Sequence, residues 1–163
     1  MKFQSFWIAV AVIVPVFFAF MRAGTWQFKA DESQKADLTA IKTALSADAL
    51  KEGPILFITE RQLLTFAEIE GIDVIHDYEK VFLMEMAMGN NEQYLQGFYE
   101  KLEKHAFAAI VTDPISTALQ DRSRPFNEEN NAWVNKVVIP MLEHYQLEQA
   151  FRSNAINLLL PKP

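Results

Sequence analysis

Arg61, Asp77 and Asp113 are the charged residues that stand where a polar ligand would meet this chain. Each follows a short apolar run: ILFIT at 55–59, Ile72 to Ile75, and Phe107 to Val111. Read as strands of an open α/β sheet, these runs end at Thr59/Glu60/Arg61, His76/Asp77/Tyr78 and Thr112/Asp113. Ligands of such sheets gather beyond the carboxyl ends of the strands. The competing reading is structural: each charge caps a neighbouring helix or pairs locally. A second candidate is FNEENNAW at 126–133. Glu128 and Glu129 suit a helix start, and Asn127 suits its N-cap. Asn130, Asn131 and Trp133 are costly helix choices with no local reason. Two adjacent amides can fix a loop or bind a sugar-like polyol.

No catalytic residue is assigned. The first strand-to-helix turn, Thr59-Glu60-Arg61-Gln62, has no glycine and an acid where a phosphate would sit, so a dinucleotide fingerprint is missing there. Walker A is absent. His76, His105 and His144 fall into no metal-binding spacing, no serine lies in a G-x-S-x-G elbow, and the chain has no cysteine. No metal and no cofactor is expected. Met84 and Met88 would share a helical face with Val81 while Met86 points elsewhere. Such a cluster fills a core or gives a soft partner surface.

The elements that must position these residues alternate. An amphipathic helix spans 31–50, with Leu38, Ile41, Leu45 and Leu50 near helical spacing. A strand at 55–59 follows the Gly53-Pro54 breaker. A helix carrying Leu63, Leu64, Phe66 and Ile69 ends at Gly71. A strand at 72–75 precedes helices over 77–88 and 92–105. A strand over 107–111 leads into the longest irregular stretch, Pro114 to Pro125. A long helix over 127–145 is interrupted near Pro140, and a last strand occupies 156–160. Short apolar strands alternating with helices indicate a mostly parallel sheet covered on both faces. The expected fold is a small Rossmann-like three-layer α/β sandwich with a mostly parallel four-stranded sheet. The last strand is open to antiparallel pairing at an edge.

Nineteen residues separate Lys2 from Arg22, and none is charged. Its uninterrupted apolar part, Phe6 to Met21, belongs to a segment reaching about 28 Å as a helix, near the ~30 Å hydrocarbon core of a bilayer. Trp7 and Trp26 flank it as interfacial rings do. One N-terminal transmembrane helix contacting membrane lipid is therefore expected. A cleaved signal peptide and a buried core helix are the alternatives; AFMRAGTW offers no clean small-residue cleavage site. Domain 1–30 would be anchor and juxtamembrane segment, and 31–163 a soluble α/β domain. The latter carries 12 basic and 21 acidic residues, a net of −9, which repels nucleic acid and anionic headgroups.

Four strings, PILFITERQLLTF at 54–66, DYEKVFLMEMAM at 77–88, FAAIVTDP at 107–114 and FNEENNAWV at 126–134, together resemble the C-terminal soluble region of bacterial integral-membrane glycosyltransferases of the GT-C type. These are family 39, the relatives of dolichyl-phosphate-mannose protein mannosyltransferases. The similarity covers most of residues 10–160, including the last membrane helix. In that family a multi-helix membrane domain transfers sugar from a polyprenyl-phosphate donor, with its catalytic acid in an early extracytoplasmic loop. This chain has no counterpart of that region, so no catalytic residue carries over. The resemblance implies a non-catalytic accessory domain of a polyprenyl-phosphate-sugar-dependent glycosyltransferase. Its partner would be a polytopic membrane domain, with the chain single-pass in the cell membrane and its soluble part extracytoplasmic. The alternative is a stand-alone membrane-anchored ligand-binding protein or enzyme with a polar crevice.

Overall fold

The computed structural model describes residues 12–18, 32–46, 53–59, 69, 74–75 and 77–163. The chain divides into two compact units, Met1–Glu32 and Ser33–Pro163. In the first, residues 12–18 are helical with exposed side chains. The transmembrane helix expected before the domain is corrected here: among the described residues no helix is long and apolar enough to cross a membrane. Seven helical residues reach about 10 Å, a third of a bilayer core. The remainder of the Phe6–Met21 run, residues 6–11 and 19–21, lies outside the described residues.

The second unit is built on a five-stranded sheet. Its elements are α1 (Glu32–Leu45), β1 (Ile55–Ile58), β2 (Val74–Ile75), α2 (Lys80–Met88), α3 (Glu92–Glu103) and β3 (Ala109–Thr112), followed by α4 (Asn127–Trp133), a π-helical segment (Val134–Val138), α5 (Ile139–His144), β4 (Tyr145–Phe151) and β5 (Ile156–Pro161). The strand order is β2-β1-β3-β5-β4. β1 pairs parallel with β2 and β3; β5 pairs antiparallel with β3 and β4. The expected mostly parallel four-stranded sheet is thus corrected to a mixed sheet of five. The reason is local. β4 and β5 are joined by one short turn, Arg152–Asn154, closed by Ala155 in a left-handed conformation (φ 51°). A connection that short forces antiparallel pairing, since a parallel crossover needs a dozen residues or more.

β4 is the strand that apolar patterning misses. It reads YQLEQAF and buries only its two ends. It is an edge strand, and Glu148 is an extra residue between the Leu147↔Leu159 and Gln149↔Leu158 pairs. A bulge and exposed polar side chains are common ways to blunt a sheet edge. β5, by contrast, lies inside the sheet rather than at its edge.

Helices cover both faces. On one, Ile41 and Leu45 of α1 pack with Ile55, Phe57, Val111 and Leu158. On the other, Leu83, Phe98, Leu102 and Met141 pack with Leu56, Ile58, Ile110 and Leu159. Alternate residues of β1 and β3 thus serve opposite cores, as the two-residue period of a strand requires. Tyr145, fully buried, ties this second core to the sheet. Its hydroxyl donates to the Phe107 carbonyl at 3.0 Å and accepts from the Phe107 N–H at 3.2 Å.

Candidate functional site

Beyond the carboxyl end of β3 lies an open cleft of about 340 Å³. This is the position at which open α/β sheets hold ligands. The floor begins at Thr112 and Asp113. Thr59 and Thr112 are the two buried polar side chains of the described residues, and Asp113 follows Thr112 directly. The Thr59 hydroxyl donates to Asp113 Oδ1 at 2.7 Å. Asp113 Oδ2 accepts from Lys80 Nζ, in an ion pair about one-third exposed on each side. Lys80 is the first residue of α2, and Met84 one turn on also faces the cleft. The carboxylate is therefore already ion-paired and hydrogen-bonded.

The opposite wall is α4 and the π-helical segment, contributing Glu129, Asn130, Trp133 and Val138. The Ile139 N–H bonds to the Val134 carbonyl, five residues back. π segments often mark functional sites in helices. Two contacts fix this wall. Lys136 Nζ donates to the Ala87 carbonyl at 2.6 Å and to Asn90 Oδ1, placing a cation on the C-terminal end of α2. The Tyr99 hydroxyl donates to the Lys136 carbonyl at 2.9 Å.

The rim is the irregular stretch 113–126, and asparagines hold it. Asn131 Oδ1 accepts from the Gln120 N–H at 2.8 Å while its Nδ2 donates to the Gln120 carbonyl at 2.9 Å. Asn130 Nδ2 donates to the Ala118 carbonyl at 3.1 Å. Asn127 Nδ2 donates to the carbonyls of Arg122 and Arg124 at 3.3 and 2.8 Å. Carbonyls two residues apart, at 118, 120, 122 and 124, are thus all met by side-chain amides. That explains the amide-rich helix start: Asn127 is not the N-cap, a position Phe126 occupies without a side-chain cap bond.

Of the residues singled out from sequence, Asp113, Asn130 and Trp133 line the cleft. Asn131 is consumed in holding the loop. Asp77 is exposed, 4.0 Å from Lys101, and stands apart from the lining; its carbonyl accepts from Tyr94 at 2.6 Å. Arg61, the helix expected around it and His76 lie outside the described residues. Sequence reading missed Lys80, which shows no motif, and did not assign Glu129 or Phe126 to a site although both belong to the string it marked.

Several polar groups on the wall have no partner among the described residues: the Glu129 carboxylate, Asn130 Oδ1 and the Trp133 indole N–H. Together they offer two acceptors and a donor next to aromatic surface, which matches a ligand whose groups both donate and accept. Neither His105 nor His144 lines this cleft. Their rings are 6.4 Å apart and His105 packs against Tyr145. Among the described residues, no three His, Cys, Asp or Glu side chains are grouped to hold a metal ion. No protein-family model, curated protein or solved structure matches this chain.

Proposed function

We propose that the Ser33–Pro163 unit is a non-catalytic binding module whose cleft takes a sugar-like polyol, and that it serves a polyprenyl-phosphate-sugar-dependent glycosyltransferase. Its partner in this reading is the polytopic membrane domain of such an enzyme, at the extracytoplasmic face of the cell membrane. The observation that carries the reading is the unpaired set Glu129 carboxylate, Asn130 Oδ1 and Trp133 N–H beside the cleft. Hydroxyls satisfy donors and acceptors alike, and pockets for small ligands combine apolar lining with a few convergent polar groups. The volume, about 340 Å³, lies at the small end of the ~300–1,000 Å³ range of ligand sites. The glycosyltransferase link rests on the four resembling strings, three of which, at 77–88, 107–114 and 126–134, contribute residues to the cleft.

Calorimetric titration of the full chain with methyl α-D-mannopyranoside, methyl β-D-glucopyranoside, ADP and inorganic phosphate tests this. Saturable binding of a glycoside, with none of ADP or phosphate, is the expected result. Binding of ADP alone would move the assignment to a nucleotide site. Incubated with a polyprenyl-phosphate sugar, the chain alone is expected to transfer nothing; measurable transfer would contradict the non-catalytic assignment.

A further inference from the structure

Phe126 stands at the mouth of the cleft with 77% of its surface exposed. Its backbone is left-handed, φ 61° and ψ 20°. For a bulky residue that conformation is strained, because Cβ crowds the following carbonyl. It is also unusual for its place, since the residue before a helix normally has extended backbone.

Three other described non-glycine residues share a positive φ: Asn90, His105 and Ala155. Each closes the end of an element. Asn90 follows α2 and accepts from Lys136. His105 follows α3 and lays its ring against Tyr145. Ala155 closes the β4–β5 turn. Asn and His are enriched in this region of backbone space, and Ala is small. Phe126 has neither advantage. Its ring enters no aromatic pair among the described residues, and so much exposure leaves little burial to offset the strain. Strain that packing does not require is a mark of function.

We propose that Phe126 is the platform of the cleft: its left-handed backbone holds an exposed ring over the mouth, where it stacks on the apolar C–H face of a pyranose. The inference rests on the polyol reading of the cleft. The geometry divides the ligand between two kinds of contact. Polar groups of Glu129, Asn130 and Trp133 meet the hydroxyls, and the Phe126 ring covers the face that carries only C–H bonds. An aromatic face gains by removing such a surface from water.

The test uses the full chain and four substitutions, Phe126→Gly, Phe126→Asn, Phe126→Ala and Phe126→Tyr, read by thermal melting and by titration with the two methyl glycosides. Gly accepts the left-handed region without penalty, so Phe126→Gly is expected to raise the melting midpoint by about 3 °C. Phe126→Asn is expected to melt no lower than Phe126→Ala. Glycoside affinity is expected to fall about tenfold in the Gly, Asn and Ala variants, and to stay within about twofold in Phe126→Tyr, which keeps the ring. If wild type binds a glycoside and Phe126→Gly binds it equally well, the platform is wrong while the cleft assignment stands. If Phe126→Gly melts below wild type, the strain argument is wrong. If wild type binds neither glycoside, the polyol reading falls and the platform with it.

Discussion

The Tyr99 hydroxyl donates to the Lys136 carbonyl at 2.9 Å, an acceptor with no partner N–H in an α-helical register. In an α-helix that carbonyl would bond the N–H four residues on, and residue 140 is proline. Tyr99 of α3 thus supplies the missing donor and anchors the π-helical wall of the cleft to the packed helix layer. Phe98, its neighbour, is fully buried in that core.

Tyr99→Phe removes this donor from a part-buried carbonyl. A loss of about 1–2 kcal/mol in urea denaturation is expected. Pro140→Ala restores an N–H able to reach the Lys136 carbonyl. The cost of Tyr99→Phe should therefore shrink in the Pro140→Ala background, a coupling that a double-mutant cycle reads. Equal costs in both backgrounds would remove Pro140 from the account.

Asn131 holds Gln120 through both its N–H and its carbonyl. Asn131→Ala is expected to cost about 1–2 kcal/mol by removing both of those hydrogen bonds. The local reading is sharper: the Gln120 amide should lose hydrogen-exchange protection, while amides of β3 keep theirs. Unchanged exchange at Gln120 would show that the loop is held by something else.

Lys80 and Asp113 form a partly exposed pair, and Asp113 also accepts from the buried Thr59 hydroxyl. Exposed pairs are worth little, so Lys80→Met should cost less than about 1 kcal/mol. Asp113→Ala should cost more, about 1–2 kcal/mol, because it also strands Thr59. The order of the two losses in chemical denaturation is the prediction; a larger loss for Lys80→Met contradicts it.

Three tyrosines set an alkaline limit. Burial, with nearby Tyr78 and Asp77 adding to it, pushes the Tyr94 hydroxyl from its ordinary value of 10.0 up to about 12. Burial also raises Tyr99 and raises Tyr145 against the opposing hydrogen bond to Phe107. The folded state holds these protons more tightly than the unfolded chain. The contribution of Tyr94 is complete below the ordinary value of 10.0 and declines as pH rises towards about 12, with Tyr99 and Tyr145 adding in the same direction. Denaturation midpoints should fall over that window, and less steeply in Tyr94→Phe. A flat profile would contradict the burial seen for these hydroxyls.

The apolar strands were legible because they are continuous and bounded by breakers: ILFI after Gly53-Pro54, and AIVT before Asp113-Pro114. α3 was legible from the spacing of Leu95, Phe98 and Leu102, all buried. β4 was not, because an edge strand that exposes five of its seven residues carries no apolar pattern. Without β4 and its short turn to β5, the antiparallel half of the sheet shows in the sequence only as an option open to the last strand. At the site, Asp113 followed from its place after a strand, and Asn130 and Trp133 from their awkwardness in a helix. Lys80 was hidden because its role depends on a contact 33 positions away in sequence. The strain at Phe126 is a backbone angle that residue type opposes, so composition pointed away from it.

The central claim, that the cleft beyond β3 receives a polyol, is tested most directly at Trp133. The indole N–H of Trp133 should be followed by NMR as methyl α-D-mannopyranoside is added to the full chain, its resonance assigned with Trp133→Phe. The account predicts a saturable shift of that signal, with matching shifts at the Asp113 and Asn130 amides and none at Asp77. Saturable shifts confined to residues outside the cleft, or no shift at the highest glycoside concentration, would contradict it.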